Sequence, residues 1–569
     1  MPDRPNFVWI SNEDTVPLFG AYGDEIARTP TMDQLAEEGV RYPNACTTAG
    51  VCAPSRAAII TGCYQTRLGA HHMKPSFDLP LIDDDEDPHP DEWGYGSPYA
   101  TVPPHYIRAV PEMLRRAGYF CTNNGKTHYQ FQAEKTPATL WDRNDYGSSE
   151  WDAHWRDRPS TDQPFFSVFN LDNTHEGRMR RSEADGPTTE TDPSAVQVPP
   201  YLPDTPRVRE EIARHYDNLA TNDALATEII SQLEEDGELE NTYIFLWSDH
   251  GWGLPRCKRF LYDGGINVGL TVRGPGQPAG TVRDAPISMV DLAPTLLELA
   301  GEGIPQWMDG QPFIGDGPDV SEREYAFAAR DRHDENYDMV RAVRSSRYKC
   351  IRNYYPEQPP LGWVSYRTKG APMRELLRLY AEDSLHEEAN ELLDGGRPPE
   401  ELYDLDADPH EVDNLAADPE YHDVLEDHRH ALDKWQVRTD DQGHEMEQTT
   451  SQRMHGYGFE DVDGNAFRET APPVIVPNTA SNRERHPVQG SVEIEGPATV
   501  VLAASTQGAS IAYRLNHDES ETSVRDESTW DVYAGRIRLP EGRTTIEAKA
   551  VRYGYLESPI RTATISVSG

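Results

Sequence analysis

Two apolar runs in this chain end in acidic pairs, and that arrangement limits the fold more than any other feature. Asn6-Phe7-Val8-Trp9-Ile10 leads into Ser11-Asn12-Glu13-Asp14. Thr242-Tyr243-Ile244-Phe245-Leu246-Trp247 leads into Ser248-Asp249-His250-Gly251. Short apolar runs of this kind read as buried strands. In open α/β sheets ligands gather beyond the carboxyl ends of strands, so the two pairs can converge on one cation. Three carboxylates and an imidazole (Glu13, Asp14, Asp249 and His250) suit a hard divalent metal, Ca²⁺ or Mg²⁺. Taken singly, each pair also reads as a helix cap or a solvated turn.

The rest of the pattern fits such a sheet. Thr29-Pro30 opens a helix that Gly39 closes, with Thr29 as the expected cap. Residues 54–61 read as a second helix, 164–170 as a strand, 207–236 as a long amphipathic helix and 294–301 as another helix. Strands alternating with helices predict a mainly parallel sheet flanked by helices. Segments 77–104 and 183–206 are proline-rich, lack periodicity and read as insertions. After about residue 315 the pattern shifts to a hairpin at 339–352 and helical stretches near 373–393 and 418–437. The expected division is an α/β domain over 1–315, an α+β subdomain over 316–440, a linker over 441–487 and an all-β module over 488–569.

Charge narrows the partners. The 569-residue chain carries a formal net charge of −44, and only 8 of its 53 cationic side chains are lysines. Nucleic-acid surfaces are basic, so a nucleic-acid partner is not expected, and an anionic substrate needs a local cationic pocket. No run of 18 apolar residues is present, so no membrane span is expected. No apolar leader follows Met1, which predicts a cytoplasmic protein if Met1 is the native start and a secreted or periplasmic one if it is not. The cysteines at 46, 52, 63, 121, 257 and 350 have no disulfide-framework spacing and read as buried thiols.

One of them stands in Cys52-Ala53-Pro54-Ser55-Arg56, followed by Thr61-Gly62. This resembles the Cys-x-Pro-x-Arg signature of type I sulfatases of the alkaline phosphatase superfamily. The resemblance implies an alkaline-phosphatase-like sheet, oxidation of Cys52 to formylglycine by a formylglycine-generating enzyme, and a metal at Glu13, Asp14, Asp249 and His250. Glu13 departs from the family's aspartate. Asn124-Gly125-Lys126-Thr127-His128 resembles the family's Gly-Lys-x-His segment, and Lys258 its second active-site lysine. His175, after the strand at 164–170, resembles its third-strand histidine. The implied roles are nucleophile for modified Cys52, support of it for Arg56, oxyanion binding for Lys126 and Lys258, leaving-group protonation or sulfate binding for His175, and proton removal for His128.

Longer segments, among them Tyr64 to Met73, Thr174-His175-Glu176 and Arg330 to Glu335, resemble the heparan N-sulfatase (sulfamidase)-like branch over about residues 5–440. That implies a sulfated saccharide substrate, with N- and O-sulfate both open, and contacts from Arg332, His333, Glu335 and Lys74. Residues 488–569 resemble the β-sandwich appended to chitobiases. The alternatives are a phosphonate or phosphate ester hydrolase of the same superfamily and a catalytically dead glycan-binding protein. Oligomeric state is not legible.

Overall fold

The structure is a computed structural model that describes residues 4–73, 99–133, 135–146, 151–180, 189–393, 395–455, 468–478, 487–488, 490–517 and 529–568. Lys74 and most of the expected insertion at 77–104 lie outside them. Among the described residues no helix is long and apolar enough to cross a membrane.

An eight-stranded sheet forms the centre. Its order is Arg143–Tyr146, Phe120–Gly125, Phe165–Leu171, Asn6–Asn12, Thr242–Ser248, Leu270–Arg273, Val40–Tyr42, Thr281–Val282. The first five strands run parallel; Leu270–Arg273 is antiparallel to both neighbours. Asn6–Asn12 sits mid-sheet between Phe165–Leu171 and Thr242–Ser248, so the ends of these strands open side by side.

Alternation within the first strand explains how both faces are covered. Phe7 and Trp9 join a core with Ile59, Ile60, Leu292 and Leu296 from the helices Cys52–Thr61 and Leu292–Leu299. Val8 and Ile10 point the other way, onto Leu219, Ala226, Ile229 and Leu233 of the 30-residue helix Pro206–Glu235. Trp9 meets Phe166 and Trp247 edge-on, with centroids 4.9 and 5.5 Å apart, a favoured aromatic geometry. Helix Pro30–Glu38 begins after Thr29, but the Thr29 side chain does not cap it. Asp223 of the long helix does so from a distance, accepting from the Thr31 and Met32 amides at 3.2 and 2.9 Å.

The second unit is a four-stranded antiparallel sheet, Ala326–Arg330, Val340–Arg344, Tyr348–Asn353 and Glu400–Asp404, with helix His422–Arg438 against it. The stretch expected as a linker contains a helix, Glu447–His455, and a strand, Val474–Asn478. That strand pairs antiparallel with Ala498–Ala503, so the C-terminal β-structure starts before residue 488. Its three-stranded sheet faces a five-stranded one across a core that includes Val500, Leu502, Ile546 and Ile565. All six cysteines are free and buried.

Candidate active site

Four neighbouring parallel strands deliver side chains to one place. Asn6–Asn12 ends at Glu13 and Asp14, and Thr242–Ser248 at Asp249 and His250. Phe165–Leu171 carries Asn170 and leads to His175; Phe120–Gly125 leads to Lys126 and His128. Helix Cys52–Thr61 points into this space. It starts at Cys52 itself, and its N-cap residue, Val51, supplies no capping side chain. Its first-turn amides therefore favour an anion.

Cys52 Sγ lies 3.1 Å from His250 Nε2 and 3.5 Å from Glu13 Oε1. His250 Nδ1 is 2.8 Å from the Gly251 carbonyl, so the proton of a neutral ring sits on Nδ1 and Nε2 presents a lone pair. That lone pair is 3.0 Å from Asp14 Oδ1, an atom with no hydrogen-bond partner among the described residues. Ligand atoms of Asp14, Cys52, Asp249 and His250 all fall within 4.8 Å of one another. Two facing acceptors in a dry site repel unless a cation stands between them, so the donor set fits a divalent metal. Glu13 falls in a second group, with Asp14 and His175; it contacts Lys126 Nζ and stands 3.9 Å from His175 Nε2.

The cations are held in fixed places. Arg56 Nε donates to Asp249 Oδ2 at 2.9 Å and Nη1 to Asn170 Oδ1 at 2.7 Å. Lys258 Nζ is 2.6 Å from Asp14 Oδ2 and 3.2 Å from Glu176 Oε1. The Lys258 turn packs close. A Cβ on Gly251 would stand 1.9 Å from the Gly264 carbonyl oxygen, and the Arg259 amide donates to the Gly50 carbonyl at 2.6 Å. Asp14, His128 and Arg259 have φ of 51°, 56° and 77°. Left-handed backbone in non-glycine residues is strained and collects at functional sites.

Electrostatics follow from burial and these neighbours. Burial alone would raise Asp14, but Lys258, joined by His250 and His175 when those rings carry a second proton, holds it well below the carboxylate range. Burial likewise opposes ionisation of Asp249, yet His250 when its ring carries a second proton, together with Arg56 and Lys126, brings it to about 2. Burial draws the Lys126 ammonium down to about 8, against Asp249 and with Lys258. Lys258 moves the other way: Asp14, Cys52 and Glu176 outweigh burial and raise it. Burial, then Lys258, lower His175 to about 3. Its Nδ1 accepts from the Gly177 amide at 3.2 Å, so the neutral ring carries its proton on Nε2. Burial pushes the Cys52 thiol up, which keeps an unmodified cysteine protonated and a poor nucleophile.

A relative named as an ulvan-active sulfatase, from Formosa agariphila, is 37% identical over 100% of this chain and 92% of its own length. The Sulfatase family profile matches residues 5–302. The chain belongs to the sulfatase family. A second profile, that of the N-sulphoglucosamine sulphohydrolase C-terminal region, matches residues 248–394 of this sulfatase. Human N-sulphoglucosamine sulphohydrolase is 26% identical over 49% of this chain and 57% of its own length. The solved structure of a 2-O GAG sulfatase shares the fold, with a TM-score of 0.54, 20% identity, and coverage of 81% of this chain and 99% of that one. Sulfatases generally use a metal ion and a formylglycine, and the acidic cluster is a suitable place for the former.

The saccharide residues expected from the sequence fare differently. Arg332 has a partner within the chain. Its side chain is fully buried and clamps Glu447 through Nε and Nη2 at 2.5 and 2.7 Å, while Nη1 donates to the Met73 and Asp334 carbonyls. That fork holds helix Glu447–His455. His333 is buried, with neither ring nitrogen hydrogen-bonded to a described residue. Glu335 is half-buried and accepts from Ser365. Lys74 is outside the described residues.

Three site residues were not singled out from the sequence. Asn170 joins Ser11, Arg56 and the Lys126 carbonyl. Glu176 accepts from Lys258 and from both Nη atoms of Arg259, and Arg259 Nε reaches Asp334 at 2.8 Å. Their nearness to His175 and Lys258 in the chain was the available signal. Partners 83 residues apart, as Glu176 and Arg259 are, leave no periodic trace.

Proposed function

We propose that this enzyme, a hydrolase of sulfate esters, removes sulfate from ulvan-type polysaccharide, with Cys52 matured to formylglycine and Ca²⁺ held by Asp14, Asp249, His250 and Glu13. The observation that carries the reading is the placement of Cys52. It heads an uncapped helix, 3.1 Å from His250 Nε2, inside an acidic cluster bordered by two lysines. Maturation requires a formylglycine-generating enzyme as partner.

When in place, the modified residue supplies a hydroxyl nucleophile, and the metal supplies positive charge that acidifies it and polarises a sulfate oxygen. The chain's own residues do the rest. Arg56 fixes Asp249 and so the orientation of the acidic cluster. Lys126 and Lys258, as compact point charges, hold the non-bridging sulfate oxygens, and the helix amides add to them. His175 donates a hydrogen bond from its Nε2–H to the oxygen of the departing alcohol, and the Lys258 ammonium supplies the proton that this oxygen takes up. An arriving sulfate raises the basicity of that ring, since its lowered value comes from burial and two lysines. His128, on the turn two residues after Lys126, takes a proton from the modified Cys52 side chain as sulfate leaves.

Sulfate release by ion chromatography tests the proposal. Protein co-expressed with a formylglycine-generating enzyme is expected to liberate sulfate from ulvan, and Cys52→Ala to liberate none. Peptide mass spectrometry across residue 52 is expected to find the aldehyde. Release from N-sulfoglucosamine with none from ulvan would overturn the substrate, and full turnover with an intact thiol would overturn the nucleophile.

A further inference from the structure

We infer that the C-terminal β-module is a positioning part of the catalytic centre: through Tyr553 and Gly554 it holds the turn that presents Lys126 and His128. The inference rests on the roles proposed above for those two residues. The turn is strained at two non-glycine positions, His128 and Gln130, with φ of 56° and 61°. Such backbone persists only where its surroundings over-determine it. Within the catalytic domain Gln132 Oε1 accepts from Thr127 Oγ1 and the Tyr129 amide, both at 3.1 Å. The Thr101 amide donates to the Gln130 carbonyl at 2.9 Å, and Asn170 Nδ2 to the Lys126 carbonyl at 3.0 Å.

Gln130 Nε2 also donates to the Ala70 carbonyl at 2.7 Å, and further support comes from more than 400 positions along the chain. The Gly554 amide donates to the Phe131 carbonyl at 2.8 Å. The Tyr553 ring stacks on Phe131 with centroids 4.9 Å apart and an 18° angle, and Phe131 stacks on Tyr129 at 5.7 Å. Tyr129 in turn lines a small cavity with Arg56 and Asn170. The ladder therefore runs from the module to the residues beneath Cys52. Tyr553 is itself pinned, since its hydroxyl donates to Glu112 Oε2 at 2.6 Å and Glu112 also accepts from Ser510 of the module. Gly554 is required by space and backbone: its φ is +83°, and an added Cβ would stand 2.4 Å from the Thr101 carbonyl oxygen. A module serving only as an appendage would have no reason to bury a tyrosine against a catalytic turn. A different patch of the same interface, Glu557 with the Ala138 amide and Lys135, stays clear of the turn and provides a control.

The test uses the full chain in four variants. Tyr553→Leu removes the stack, Gly554→Ala forces the loop off Thr101, Tyr553→Phe keeps the ring, and Glu557→Gln loosens the distant patch. Hydrogen exchange of a peptide spanning 126–131 is expected to rise in the first two and stay at the wild-type level in the others. In Tyr553→Leu and Gly554→Ala kcat for sulfate release is expected to fall about tenfold with KM nearly unchanged, the cost of a small misplacement of catalytic groups, and to hold at the wild-type value in Tyr553→Phe and Glu557→Gln. In a Lys126→Ala background Tyr553→Leu should cost less than it does in the wild-type chain, because one of the two coupled groups is already gone. Unchanged exchange at 126–131, or an equal loss of kcat in Glu557→Gln, would overturn the inference. Raised exchange with unchanged kcat would support the hold on the turn and remove the roles given to Lys126 and His128.

Discussion

Glu211 makes the stability of this protein depend on pH in a way that one substitution should erase. It lies on helix Pro206–Glu235 and is buried, and its Oε1 accepts from the Ala371 amide at 2.7 Å, at the start of helix Ala371–Ala381. Burial raises its pKa from 4.5 to about 7, against the Ala371 amide and Arg180, Arg374 and Arg214. The folded state therefore holds a proton that the unfolded state has lost between pH 4.5 and 7. Where the native state binds more protons, unfolding free energy falls as pH rises. The contribution is fully present below 4.5 and gone above about 7. At about 1.4 kcal/mol per pH unit, this amounts to about 3 kcal/mol. Glu211→Gln keeps an acceptor for Ala371 and cannot ionise. Urea unfolding at pH 4.5, 6 and 8 should give equal stabilities at the lowest pH and a variant about 3 kcal/mol more stable at the highest. The comparison cancels repulsion from the acidic surface, which both proteins share. Parallel stability curves would refute the reasoning.

Arg332→Met strands Glu447 in the interior and should cost about 3–5 kcal/mol in urea unfolding, whereas Arg332→Met with Glu447→Met should recover most of the loss. Dialysis against EGTA should lower the melting temperature of the matured protein, and Ca²⁺ at 100 times its dissociation constant should restore about 2.7 kcal/mol. The same addition should leave Asp14→Asn unmoved. Asn170→Ala leaves Arg56 Nη1 and the Lys126 carbonyl without their partner, so kcat should fall along with about 1–3 kcal/mol of stability; kinetics and unfolding on one preparation check both.

Much of this protein is written locally. A buried strand announces itself by five or six apolar residues, and the group that follows it must emerge at the sheet's carboxyl edge. Glu13, Asp14, Asp249 and His250 were legible for that reason, as were Cys52 at a helix start and the hairpin Val340–Asn353. What the sequence left open is which long-range partner each charged group finds. Arg332 sits in a segment that resembles a sugar-binding one, yet a carboxylate 115 residues away takes its fork. Thr29 has the chemistry of a cap, yet Asp223 reaches the same amides first. Val474–Asn478 has too little alternation to stand alone as a strand and becomes one by pairing with Ala498–Ala503. Local chemistry determined the inventory of the site. Only the tertiary structure decided the pairings, because the energy of a buried charge depends on the neighbour that desolvates and neutralises it, and folding alone brings that neighbour near.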